Sequence, residues 1–241
     1  MLFDPLVDAV LAANTGIYSG AFRKPLAVTV IVFSDYGAIY DSEINVIGFH
    51  GNDWGEDEAR TILNPINRHQ AGTALARLWD CLCGKAWESN PSLIEKTLCQ
   101  DKILLWNLMP FMRGGCGSSS DAELPDRKCP DWLQRCLEWL DEFVARNSIN
   151  STKVVFCVNK ARMIPIPSQG HIPVTPATWS KHMPQAVPKK LQDLLNRGEV
   201  YVLNHPASWH GKKANNGAAL KEIVLGQVSK GNTLASFDGD D

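Results

Sequence analysis

Lys102-Ile-Leu-Leu-Trp-Asn-Leu108 is an almost unbroken apolar run, with Pro110 close behind it. A half-exposed strand alternates polar and apolar residues, whereas one without alternation is covered on both faces, as at the centre of a parallel sheet clothed by helices. We therefore read Lys102–Leu108 as a buried strand that Pro110 stops. Downstream, Pro130 sits at the first position of a helix over Asp131–Arg146. Trp132, Leu133, Cys136, Leu137, Leu140 and Phe143 form its single apolar stripe. Lys153–Val158 (KVVFCV) is the next buried strand, Glu199–Leu203 (EVYVL) the last, and a helix follows near Ala218–Val228.

Upstream, Leu26–Phe33 and Glu43–Phe49 are β-branched runs of strand length, and Asn64–Trp87 has helical spacing at Ala74, Leu75, Leu78 and Trp79. Asp4–Ala13 reads as a short amphipathic helix. Met163–Pro188 carries six prolines and little periodicity, which reads as a long ordered loop or flap. Alternating strands and helices joined by right-handed crossovers predict the α/β class, a three-layer α/β/α sandwich with a mainly parallel sheet of about four strands. One domain is expected over residues 1–235, with Ser236–Asp241 an acidic, disordered tail.

The 241 residues are 44% hydrophobic and 21% charged, the profile of a soluble globular protein. With 24 Lys and Arg against 26 Asp and Glu, the net charge of −2 excludes bulk-charge coating of nucleic acid but allows a local basic patch. No apolar run reaches the ~18 residues of a membrane span. The first thirteen residues hold two Asp and no basic stretch, so no secretory signal is expected and a cytoplasmic location follows (nuclear in a eukaryote). Seven scattered cysteines without a Cys-x-x-Cys pair point to reduced thiols and to no metal site.

Three segments leave apolar strands and end in polar residues: Gly48–Gly55 (GFHGNDWG), Asn107–Pro110, and Asn204–His210 (NHPASWH). The carboxyl ends of parallel strands converge, so these loops are expected to share a pocket. Asn107 at a strand end offers both a donor and an acceptor, or else caps the turn before Pro110. Lys212 and Lys213 follow the last segment and are either solvated or in contact with phosphate.

The three segments in this order resemble the uracil-DNA glycosylase superfamily, over roughly Glu43–Gly217. Leu104–Arg113 (LLWNLMPFMR) is similar to the family strand whose Asn reads the Watson–Crick edge of a flipped base, and His205-Pro-Ala-Ser208 resembles its His-Pro-Ser-Pro wedge loop. The following HGKKANNG is similar to the single-strand-selective branch. The resemblance implies His205 as the donor to the departing base and Asn107 as base reader; Trp54 is expected either to stack on the base or to pack in the core. The resemblance also implies Ser208, Trp209, Lys212, Lys213 and Arg113 as contacts to DNA.

Gly48–Gly55 departs from the family's first motif, because His50 stands at the water-activating Asn or Asp. Either His50, as neutral imidazole, or Asp53, as carboxylate, is then expected to hold the attacking water. The implied activity is a monofunctional DNA N-glycosylase acting on uracil or a modified pyrimidine, in repair or in defence against phage DNA, with DNA as partner and no cofactor. A non-catalytic DNA- or protein-binding member of the same fold is the alternative, favoured by His50. A nucleotide-binding α/β hydrolase lacks both the Gly-x-x-x-x-Gly-Lys-Ser/Thr and the Gly-x-Gly-x-x-Gly loop it would need.

Overall fold

The computed structural model describes residues 27–40, 46–49, 74–90, 92–113, 130–158, 164–209 and 215–226. Strands are β1 (Ala27–Tyr40), β2 (Val46–Phe49), β3 (Ile103–Arg113), β4 (Ser148–Val158) and β5 (Val200–Asn204). Helices are α1 (Ala74–Cys83), α2 (Ser92–Gln100), α3 (Pro130–Asn147), α4 (Pro176–His182), α5 (Lys189–Asn196) and α6 (Asn215–Leu225).

β1 is the axis of the sheet. It pairs in parallel with β3 on one flank, from Thr29↔Ile103 to Phe33↔Asn107 and on to Tyr40↔Arg113 after a register shift. On the other flank β4 runs parallel to it from Thr29↔Lys153 to Phe33↔Cys157. β5 lies outside β4, parallel, from Val154↔Val200 to Val158↔Asn204. The parallel order is therefore β3-β1-β4-β5. β1 and β3 run on past the end of β4, and β2 pairs antiparallel with β1 there, from Ala38↔Phe49 to Tyr40↔Val46. Since β3 holds the other flank at Ala38–Tyr40, β2 lies on the flank that β4 leaves.

Two expectations about Lys102–Leu108 need correction. β3 is beside the centre, not at it, and among the described residues only β1 pairs with it. Its apolar faces report helices above and below, not strands on both sides. Nor does Pro110 end the strand, which continues to Arg113. A strand with one free flank can turn the missing N–H outward without losing a ladder bond.

The two helical layers follow from side-chain parity. Trp106, Val32, Phe156 and Val202 share one row of the register. Trp106 stacks on Phe143 of α3 at 4.3 Å, and Phe156 tilts against Trp179 of α4 at 5.8 Å. α5 packs beside α3 and α4 on this face. Pro188 precedes α5 without a side-chain cap, and Asp141 of α3 fills that role by accepting the Leu191 N–H at 2.7 Å. The opposite parity, with Phe33 and Cys157, faces the layer of α1, α2 and α6. There the Cys81 thiol of α1 donates to the Gly217 carbonyl of α6 at 2.9 Å. Lys153 Nζ caps the end of α6 by donating to the Ile223 carbonyl at 2.7 Å.

The described part of the expected Asn64–Trp87 helix is α1, ended by Gly84 at a φ of 68° that glycine adopts without strain, and then a 3-10 turn over Lys85–Glu88. The described part of Met163–Pro188, residues 164–188, is not all loop. α4 sits inside it, started by the Thr175 hydroxyl, which accepts the Thr178 N–H at 3.1 Å, and by Pro176 at the first helical position. Asp4–Ala13 and Ser236–Asp241 lie outside the described residues. No described helix is long and apolar enough to cross a membrane.

Candidate active site at the carboxyl edge of the sheet

β5 delivers His205 directly past the sheet edge. The His205 N–H donates to the Val158 carbonyl at 2.8 Å, one step beyond the Val158↔Asn204 pair. Pro206 cannot continue a strand ladder, and Pro206–Ser208 forms a 3-10 turn. That turn closes on His205. Its carbonyl accepts the Ser208 N–H at 2.9 Å and the Ser208 hydroxyl at 2.8 Å.

The imidazole is 7% exposed, and its ring lies edge-on to Phe33 of β1, 6.0 Å between centroids. The ring thus reaches over β4 toward the sheet centre. Its Nδ1 accepts the Ala207 N–H at 3.4 Å. A nitrogen that accepts an N–H carries no proton, so the neutral ring has its hydrogen on Nε2. Nε2–H is then a hydrogen-bond donor, set in the buried end of the ring.

Asn107 is not at a strand end as expected, since β3 runs on past it to Arg113; it lies at the register position of Phe33, the residue the His205 ring meets edge-on. Adjacent strands are about 4.8 Å apart, so the Asn107 backbone is one strand from Phe33 and His205 approaches from the other side. The level at which β4 and β5 end therefore brings together two of the expected residues that are 98 apart in sequence (205 − 107). Arg113 ends β3, paired with Tyr40.

The third segment arrives differently from expectation. Its strand is antiparallel, so it does not converge by parallel strand ends. β2 instead runs back along β1, so that Phe49 faces Ala38 and the strand is directed at the end of β4. His50, Asp53 and Trp54 themselves, like Lys212 and Lys213, lie outside the described residues.

The loop after His205 is fixed by groups that sequence reasoning missed. Arg77, in the first turn of α1, donates through one guanidinium nitrogen to the Pro206 carbonyl at 3.4 Å and to the Ala207 carbonyl. Asn216 of α6 accepts the Asn204 N–H at 2.9 Å and the Ser168 hydroxyl at 3.1 Å, joining β5, α6 and the proline-rich segment. Nothing in the sequence singles out Arg77, and Asn216 is visible there only as part of the HGKKANNG run.

Trp209, expected at the DNA surface, is packed inward. It is 8% exposed, its indole N–H donates to the Asn204 carbonyl at 2.6 Å, and a Cβ on Gly217 would lie 3.4 Å from its ring. Behind it an open groove of about 360 Å³ runs between α1 and α6, lined by Asp80, Cys81 and Lys221 among others. Burial pushes the Cys81 thiol up to about 11 and Cys136 and Cys157 further, so none is a nucleophile near neutral pH. Among the described residues no cluster of His, Cys, Asp or Glu could hold a metal ion. Comparison with protein families, curated proteins and solved structures gives no match to this chain.

Proposed function

We propose that the protein is a DNA N-glycosylase that hydrolyses the glycosidic bond of uracil or a modified pyrimidine and leaves an abasic site. The observation that carries this reading is His205, held past the end of β5 with Nδ1 as acceptor and Nε2–H as donor, its ring reaching over β4 to the β1 residue in register with Asn107. Cleavage of an N-glycosidic bond puts negative charge on the leaving base and positive charge on the sugar. A fixed neutral donor stabilises the base anion without adding positive charge near the sugar. An Asn side chain carries both a donor and an acceptor, the pair needed to read the edge of a base rotated out of the stack. His50 or Asp53 holds the attacking water in this scheme.

The test is incubation with labelled single strands and duplexes containing uracil, hydroxymethyluracil or glucosylated hydroxymethylcytosine, followed by alkali. Strand scission at the modified position supports the reading and identifies the base. DNA binding without scission on any substrate replaces it with the non-catalytic alternative, favoured by His50 at the motif position where the family has Asn or Asp.

A further inference from the structure

We propose that Arg77 is a positioning residue that fixes His205 as its Nε2–H tautomer, acting through a single peptide plane. The Pro206 carbonyl and the Ala207 N–H belong to the same planar amide and point in opposite directions. Arg77 donates to the carbonyl end at 3.4 Å, and His205 Nδ1 accepts from the N–H end at 3.4 Å. Holding one end of a rigid plane orients the other.

The guanidinium also holds the next plane, through the Ala207 carbonyl, whose partner N–H on Ser208 donates to the His205 carbonyl at 2.9 Å. Both amides that surround His205 are thus anchored from α1, 129 residues away in sequence from Pro206. A cation on a carbonyl polarises its amide and makes the N–H a stronger donor. That matters here, because the N–H···Nδ1 contact is long for a hydrogen bond. The Trp209 N–H shares the Pro206 carbonyl at 3.0 Å, so the plane is held from within the loop and from the neighbouring helix. Arginine suits the task better than lysine, because the two N–H groups on one guanidinium nitrogen are fixed in the plane of the group, whereas an ammonium is free to rotate.

The consequence for excision rests on the glycosylase reading; the tautomer does not. The experiment is nitrogen NMR on protein labelled with ¹⁵N-histidine, run about two pH units above the ordinary histidine value of about 6.5. His205 is assigned among the six histidines by loss of its signals in His205→Gln. Wild type is expected to show a proton on Nε2 only. Arg77→Met, with far-UV circular dichroism unchanged, is expected to show both tautomers, and Arg77→Lys a mixture closer to wild type.

Should Arg77→Met not fold, Arg77→Lys carries the test through exchange of the Ala207 amide. That exchange should quicken roughly tenfold or more, the scale of losing a hydrogen bond to a charged group. A pure Nε2–H signal in folded Arg77→Met, or an unchanged Ala207 exchange rate in Arg77→Lys, overturns the proposal. Excision is read separately: single-turnover rate should fall at least tenfold in Arg77→Met with DNA affinity kept, and His205→Gln should gain no further loss from it. Absence of excision in wild type would remove the glycosylase reading and leave the tautomer result standing.

Discussion

Trp209→Phe separates an indole that holds the loop from one that meets DNA. The substitution keeps a ring in the pocket and removes the donor to the Asn204 carbonyl, at present 2.6 Å away. A neutral hydrogen bond of this kind contributes about 0.5–1.5 kcal/mol net. The smaller ring also leaves roughly 40 Å² less apolar area buried, about 1 kcal/mol at ~25 cal/mol per Å². Gly217 and Cys81, which border the indole, belong to separate helices and cannot close the gap without moving α6 against α1. The expected cost is about 2 kcal/mol, or a fall in Tm of roughly 4–8 °C for a chain of this length. Thermal and urea unfolding measure it, with DNA affinity taken on the same samples at low temperature. An indole stacked on an exposed base would instead carry about 1–3 kcal/mol of DNA affinity and little stability. Unchanged Tm together with DNA binding weakened more than tenfold would refute the inward packing argued here.

His205→Ala is expected to slow single-turnover excision by about 10²–10³-fold, the usual loss for one donor to a developing anion, with DNA affinity unchanged; a wild-type rate would remove His205 from the chemistry. Asn107→Asp exchanges a donor for an acceptor in β3, so the ratio of rates among pyrimidine substrates should shift toward bases with the complementary edge, and a constant ratio would remove the residue from base recognition. The buried thiols should make stability decline between pH 9 and about 11. In that window the unfolded chain ionises its thiols at their ordinary value of 9.0, while burial keeps Cys81 protonated up to about 11 and Cys136 and Cys157 beyond. The fold then binds more protons than the unfolded state, so stability falls as pH rises; a urea midpoint constant from pH 8 to 10.5 would contradict the burial of these groups.

The site was only partly legible in the sequence. His205 stands out through the resemblance of His205-Pro-Ala-Ser208 to a wedge loop, together with its place after a strand, where ligands bind in an α/β fold. Arg77 offers no such signal. Its partners are main-chain carbonyls, which every residue possesses, so neither the residue type nor its spacing predicts the contact. Trp209 was misplaced for a related reason. An aromatic residue in a polar loop fits a nucleic-acid surface and an interior pocket equally well, and only α6 approaching through Gly217 makes the pocket.

What the sequence determined by itself is the class of fold and the identity of its most continuous elements. Asp131–Arg146 and Lys153–Val158 were readable because the periodicity of a buried stripe or a doubly covered strand is a property of neighbouring residues. The start of α4 was written in Thr175 and Pro176, although the surrounding prolines disguised the helix. Tertiary structure decided the lateral order. β1, not Lys102–Leu108, took the centre, because apolarity on two faces records the helices above and below while strand neighbours are chosen by backbone bonds between distant segments. It likewise decided that Pro110 could remain in a strand, on β3, which among the described residues pairs only with β1, and that β2 would turn antiparallel on the flank β4 vacates. The juxtaposition of His205 with Phe33, and through it with the register of Asn107, belongs to the same category: hydrogen-bond ladders between strands carry no residue-specific code, so the edge they align exists only once the sheet has formed.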